Sequence, residues 1–291
     1  MKNKHLWNCE DMFDGLLKPR LCVSRLNLGI YILPLGYFSY AGKILINMLR
    51  SVIGKSGVVC YRILSTITLA DIDFELKISP PTWDFPVLTT LSINDVTFSL
   101  QPPNDGASKS IELFSQLPNL TTLALDNFML LNIDTFVIMS SKLETLSLTG
   151  VHQSCKFVVS APKLSSFTYN GMVQFSLLAN DLLSLKTVKF HTIYHRSLKY
   201  HPEFVELMIN AFQQLYKANS LILNLDALKV LSVFPELLER LNCPFRSLQS
   251  LTLVFDQLPQ FLSYFNGVYR YFRESSPDVK VKVELDPIPS L

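Results

Sequence analysis

Apolar residues recur along this chain in triplets spaced Leu-x-x-Leu-x-Leu, with other apolar side chains standing in for leucine in the weaker copies. The clearest are Leu88, Leu91, Ile93; Leu120, Leu123, Leu125; Leu143, Leu146, Leu148; and Leu248, Leu251, Leu253. Weaker ones are Val23, Leu26, Leu28; Leu64, Ile67, Leu69; Leu164, Phe167, Tyr169; and Leu185, Val188, Phe190, while a degenerate copy keeps only Leu223 and Leu225. The last two apolar residues of each triplet alternate with their neighbours at the period of two that a strand shows when one face is buried. Each copy therefore predicts one strand.

From Leu120 to Leu143, Leu164 and Leu185 the steps are 23, 21 and 21 residues, close to the roughly 20 to 29 residues of a leucine-rich repeat. The longer steps carry helical patterns. Pro202 and Glu203 suit a first turn, after which Phe204, Val205, Met208, Ala211, Phe212 and Leu215 share one face. Phe261, Leu262, Phe265, Val268, Tyr269 and Phe272 do the same after Pro259, and Ile44, Leu45, Met48, Leu49 and Val52 make a third helix. Finally Val279, Val281, Val283 and Leu285 alternate with Lys280, Lys282 and Glu284, an edge strand whose charges discourage pairing with another molecule.

A strand plus a return segment cannot bury its apolar face alone, so stability must come from stacked neighbours. The expected fold class is α/β, an irregular leucine-rich-repeat solenoid or horseshoe with a parallel concave sheet and helices or loops on the convex face. Residues 1–22 form an N-terminal segment and 23–291 the solenoid, which ends in a capping helix and strand. Val96, Phe128, Val151 and Met172 stand where many such repeats place an Asn or Cys ladder, so the backbone turns there must be satisfied otherwise.

Composition narrows the functional classes. With 48% hydrophobic and 17% charged residues the chain can form a core, and a formal net charge of +2 offers no concentrated basic face for nucleic acid. Five scattered cysteines without a Cys-x-x-Cys pair suit buried thiols in a reducing, cytoplasmic or nuclear compartment. Glu10, Asp11 and Asp14 interrupt any secretory leader. The apolar stretch from Leu28 to Ala41 is shorter than a membrane span and contains Gly29, Pro34 and Gly36. The sequon Asn119-Leu120-Thr121 lies inside a repeat, so its match is read as chance.

Candidate chemistry is sparse. Gly54-Lys55-Ser56 lacks the upstream glycine of a phosphate loop, since Leu49 stands there, and Gly54 reads as the C-cap of a helix. His191 and His195 have the spacing of zinc ligands on a helix but follow a strand pattern at Lys189 and Phe190, with His201 nearby. No nucleophile elbow, dinucleotide fingerprint or Cys-His signature occurs. The expectation is a protein with no catalytic residues, cofactor or metal.

What remains is a surface. Side chains alternate along a strand, so residues flanking the buried leucines point to the concave face. These are Thr90, Ser92 and Asn94; Thr122, Ala124 and Asp126; Thr145, Ser147 and Thr149; Ser166, Thr168 and Asn170; Thr187, Lys189 and His191; and Ser250, Thr252 and Val254. Ser and Thr also suit exposed strands in general, so the face is a candidate surface for a protein ligand.

The run Leu143-Glu-Thr-Leu-Ser-Leu-Thr-Gly-Val, with Phe157-Val-Val-Ser-Ala-Pro-Lys-Leu-Ser-Ser-Phe-Thr-Tyr-Asn-Gly after it, resembles the repeats of plant F-box/leucine-rich-repeat proteins of the FBD-like kind. So does Cys243-Pro-Phe-Arg-Ser-Leu-Gln-Ser-Leu-Thr-Leu, and the pattern extends from Val23 to Leu285. The resemblance implies a repeat domain that captures a substrate for ubiquitination, while an N-terminal F-box docks on the cullin-ligase adaptor. The 22 residues before Val23 are too few for three helices of about ten residues each. The F-box is thus expected to be absent, leaving a truncated recognition domain or a stand-alone interaction or decoy protein unrelated to ubiquitin.

Overall fold

A computed structural model describes residues 25–29, 66–70, 74–77, 86–99, 109–193, 201–255 and 262–285. The N-terminal segment, the helix expected over Ile44 to Val52, the Gly54-Lys55-Ser56 segment and His195 lie outside them. The strands are, in chain order, β1 (Arg25–Gly29), β2 (Thr66–Ala70), β3 (Phe74–Lys77), β4 (Thr90–Asn94), β5 (Val96–Ser99), β6 (Ser110–Glu112), β7 (Thr122–Asp126) and β8 (Met129–Leu131). There follow β9 (Thr135–Met139), β10 (Thr145–Val151), β11 (Cys155–Ser160), β12 (Ser166–Met172), β13 (Phe175–Asn180) and β14 (Thr187–Ile193). Helix α1 (Pro202–Gln214), β15 (Ser220–Asn224), α2 (Leu225–Val233), α3 (Pro235–Arg240), β16 (Ser250–Phe255), α4 (Leu262–Ser275) and β17 (Lys280–Leu285) complete the order.

The fold is α/β with parallel strands in open sheets and few helices. Ten strands form one sheet in the order β1-β2-β4-β7-β10-β12-β14-β15-β16-β17. A four-stranded sheet, β13-β11-β9-β6, and a three-stranded one, β3-β5-β8, hold strands that alternate in sequence with those of the large sheet. Every pairing among the described residues is parallel. Between the sheets lies one apolar cluster running from Leu88 to Val279.

Five strands of the large sheet, β7, β12, β14, β15 and β17, are entered through the same short device. The first apolar residue of a triplet closes a turn by donating its N–H to the carbonyl three residues earlier, as Leu120 does to Leu117, Leu164 to Ala161, Leu185 to Leu182, Ala218 to Leu215 and Val279 to Ser276. Both ends of these turns are buried. The next two N–H groups then share one carbonyl of the preceding strand entry: Glu144 and Thr145 bond to Thr121, Ser165 and Ser166 to Glu144, and Lys186 and Thr187 to Ser165. The sequon residue Asn119 belongs to this framework, donating to the Pro86 carbonyl while its Oδ1 accepts from Lys142.

Where strands leave the sheet, a different signal operates. Asp95, Asn127 and Gly150 adopt left-handed backbone at φ 55°, 46° and 63°, a region that Asn, Asp and Gly reach most cheaply. Asp95 N–H bonds to the Asp126 carbonyl and Asn127 N–H to that of Thr149. This is how the turns beside Val96, Phe128 and Val151 are satisfied, and it lets those three side chains enter the core. A Cβ on Gly150 would lie 2.7 Å from both the N and Cα of Asn127, so only glycine fits that rung unchanged.

Two expectations require correction. Over residues 96–180 the side of the core away from the large sheet is built by the two smaller sheets, not by helices or loops. Phe136, Phe157 and Leu177 project inward there, because the short steps leave room for a second extended segment. The copy assigned to Leu223 and Leu225 is displaced: the strand is β15, its triplet is Ala218, Leu221 and Leu223, all fully buried, and Leu225 opens α2. Helix α1 follows its predicted bounds, with Pro202 in the first turn and Phe204, Val205, Met208, Ala211 and Phe212 buried. In α4, Val268 and Phe272 are buried with Phe265 packed against them.

Candidate functional site

The candidate site is the face of the ten-stranded sheet turned away from the apolar cluster. Because the strands pair in register, residues at one repeat position form a line across them. One line comprises Thr90, Thr122, Thr145, Ser166, Thr187, Ser220 and Ser250, hydroxyl residues on seven consecutive strands. The backbone of Thr66 stands beside Thr90 on the next strand. A second line carries Ser92, Ala124, Ser147, Thr168, Lys189, Ile222 and Thr252. A third starts Asn94, Asp126, Thr149, Asn170, His191. Thr90, Ser92, Asn94, Thr122, Thr145, Ser147, Thr149, Ser166, Thr168, Asn170, Thr187 and Ser250 are each partly exposed, and Asp126 and Lys189 are exposed.

Not every expected member is available to a partner. His191 (9% exposed), Thr252 (6%) and Val254 (9%) share the register but are buried. Ser220, Ile222 and Asn224 belong to the face and were missed by the displaced triplet; reading Ala218 as an apolar first position recovers them. Asn224 does more than line a surface. Its Oδ1 accepts from the Ala227 N–H, capping α2, and from the Thr192 N–H, while Nδ2 donates to the Thr192 carbonyl.

The electrostatics of this face are mild. Asp126 accepts a hydrogen bond from the Thr149 hydroxyl at 2.5 Å, and Asn127 donates to Asp95 alongside. Among the described residues no three His, Cys, Asp or Glu side chains gather as metal ligands would. His201 precedes α1 as an exposed residue. The Cys155 and Cys243 thiols lie in the interior rather than on the face, and burial pushes both up to about 11. At neutral pH they are therefore thiols rather than nucleophilic thiolates. The arrangement offers many fixed hydrogen-bond donors and acceptors and little charge.

The fold and face together define an α/β protein built on parallel sheets with a hydroxyl-lined surface. Compared with known proteins, the chain matches no family model, no curated protein and no solved structure. Among the described residues no helix is long and apolar enough to cross a membrane.

Proposed function

We propose that this chain is a protein-binding scaffold, an irregular leucine-rich-repeat solenoid whose polar sheet face captures a partner and which performs no catalysis. Its plan is that of the substrate-recognition half of an F-box ubiquitin-ligase subunit. The carrying observation is the line of Ser and Thr on seven consecutive strands. Parallel strands lie about 4.8 Å apart, so an extended segment laid across them meets a hydroxyl at every strand. These side chains are short and their backbone is fixed, so binding costs little side-chain entropy. With few charges on the face, selectivity rests on matching donors to acceptors, where one unpaired buried group is expensive.

The test places a photo-crosslinking residue at Thr168, on the face, or at Lys156, exposed on β11 of the four-stranded sheet. Partner adducts should form from position 168 and not from 156. Ser147→Arg and Thr168→Arg, on register neighbours, should abolish those adducts while leaving the melting temperature unchanged. Adducts from position 156 alone, or indifference to both arginines, would remove the face from the function. The ligase connection has its own arm: the chain alone should not bind the cullin-ligase adaptor, whereas an F-box fused ahead of it should both bind the adaptor and direct ubiquitin to the crosslinked partner. A fusion that binds the adaptor but leaves the partner unmodified favours a stand-alone scaffold.

A further inference from the structure

The outer edge of the large sheet is β17, and among the described residues no strand pairs with its far side. Lys280 donates its N–H to the Gln249 carbonyl on the β16 side. In a parallel ladder both backbone groups of a residue point the same way and alternate residues point oppositely. The N–H and C=O of Val281, Val283 and Leu285 therefore face outward from the sheet edge. Side chains add to this open character: Val283 is 57% and Leu285 55% exposed, although both are in register with the buried Leu253 and Phe255 of β16. Lys280, Lys282 and Glu284 are exposed on the other face.

We infer that β17 is a self-association edge at which a second copy of this chain pairs antiparallel about a two-fold axis through Val283. Hydrogen-bond phase requires outward residues to pair with outward residues, and charge selects among the axes that satisfy it. With the axis at Val283, the two Val283 residues exchange both backbone hydrogen bonds, and each Val281 pairs with the partner's Leu285 in the same way. Every outward backbone group of these three residues is then used. On the polar face each Lys282 stands opposite the partner's Glu284, giving two opposite-charge pairs, and on the core face Val281, Val283 and Leu285 meet their counterparts. An axis at Glu284 sets Glu284 against Glu284, and one at Lys282 sets Lys282 against Lys282 beside two Lys280–Glu284 pairs; like charges directly opposite are destabilising, and of these three axes only that at Val283 has none. The charges that guard this edge against indiscriminate pairing thus favour this self-complementary arrangement. Since the axis is normal to the sheet, the dimer continues both the apolar rows and the hydroxyl-bearing face from one copy into the next.

The experiment is sedimentation equilibrium of the full 33.1 kDa chain over a wide concentration range. The parent should move from monomer to twice that mass. Lys282→Glu and Glu284→Lys should each convert two attractive pairs into two repulsive ones and weaken association by about tenfold or more. The double swap, Lys282→Glu with Glu284→Lys, should restore it. Val283→Pro removes an outward N–H that β16 does not use, so it should abolish dimerisation while the circular dichroism spectrum stays that of the parent. A parent that stays monomeric overturns the inference. So does association indifferent to charge reversal, or a double swap as weak as the single variants.

Discussion

Glycine to alanine should change stability in opposite directions at two positions of this protein. Gly150 sits at φ 63°, and an added Cβ would lie 2.7 Å from two backbone atoms of Asn127, which itself is left-handed and bonded to its neighbours. Placing an L-residue in that conformation costs roughly 1–2 kcal/mol. Forcing apart a packed backbone adds about 1–3 kcal/mol, so Gly150→Ala should lose about 2–5 kcal/mol. Gly267 lies inside α4, exposed, with nothing within 4 Å of the position its Cβ would take. There alanine removes backbone entropy from the unfolded chain and should gain about 0.5–1 kcal/mol. Urea unfolding followed by far-ultraviolet circular dichroism measures both, compared at equal denaturant slope. Gly150→Asn separates the two costs, because Asn tolerates the left-handed region but keeps the close Cβ; it should fall between Ala and the parent. Should Gly150→Ala unfold at the parent's midpoint, or Gly267→Ala below it, the assignment of strain and space to these positions is wrong.

Three further outcomes follow from side chains described above. Asn224→Ala removes the cap of α2 and both bonds to the fully buried Thr192, and should cost about 2–4 kcal/mol in the same assay. Asn224→Asp keeps the cap acceptor but sets a carboxylate oxygen against the Thr192 carbonyl, so it too should lose stability; an Asp variant as stable as the parent would contradict the donor assigned to Nδ2. Leu146→Ala, at a fully buried position, should cost about 2–5 kcal/mol through transfer and cavity contributions, and a melt coincident with the parent would deny it a core role. Alkaline pH should destabilise the fold. Burial raises Cys155 and Cys243 from 9.0 to about 11 and also raises Tyr169 and Tyr271. The neutral forms are the ones the fold accepts, so their contribution is complete below about pH 9 and is lost as pH rises through about 11. Thermal melts across that interval should fall in midpoint, and a flat profile would show that these groups are hydrated in the native state.

Strand positions were legible because a period of two beside a recurring triplet has one physical meaning. Leu91, Leu123, Leu146, Phe167 and Val188 fall on one buried line, and Ile93, Leu125, Leu148, Tyr169 and Phe190 on the next. The second apolar layer was not legible. Phe98, Phe128, Phe136, Phe157, Phe175 and Phe190 form a chain of ring contacts with centroids 5.5 to 6.4 Å apart. Their sequence spacing varies because five of them come from three different sheets and Phe128 from the turn before β8. No single periodicity reports a contact made between elements; Asp95, Asn127 and Gly150, each directly before an apolar residue that turns inward, were the usable sign. On the candidate face the hydroxyl lines followed from the strands, whereas the burial of His191, Thr252 and Val254 depends on tertiary packing that strand alternation does not encode.

The rung at β15 shows why one displaced triplet matters to the whole face. Strand β14 runs on to Ile193, but its pairing with β15 stops at Phe190 and Leu223 because the chain turns into α2 immediately after Asn224. Thr192 is consequently paired with Gly171 on one side and left without a backbone neighbour on the other. The Asn224 amide supplies what that neighbour would have given, one acceptor for the Thr192 N–H at 3.1 Å and one donor for its carbonyl at 2.8 Å. A primary amide has the donor and acceptor geometry of a peptide group, so the side chain extends the sheet by one residue while the backbone departs. Asp95, Asn127 and Gly150 solve the same problem with left-handed backbone, Asp95 and Asn127 keeping their N–H groups for the adjoining strand. The sheet edge beyond the hydroxyl line is therefore held by two mechanisms, backbone reversal on the earlier rungs and a side-chain amide at the helical one. Only the second can be removed without altering the chain's path.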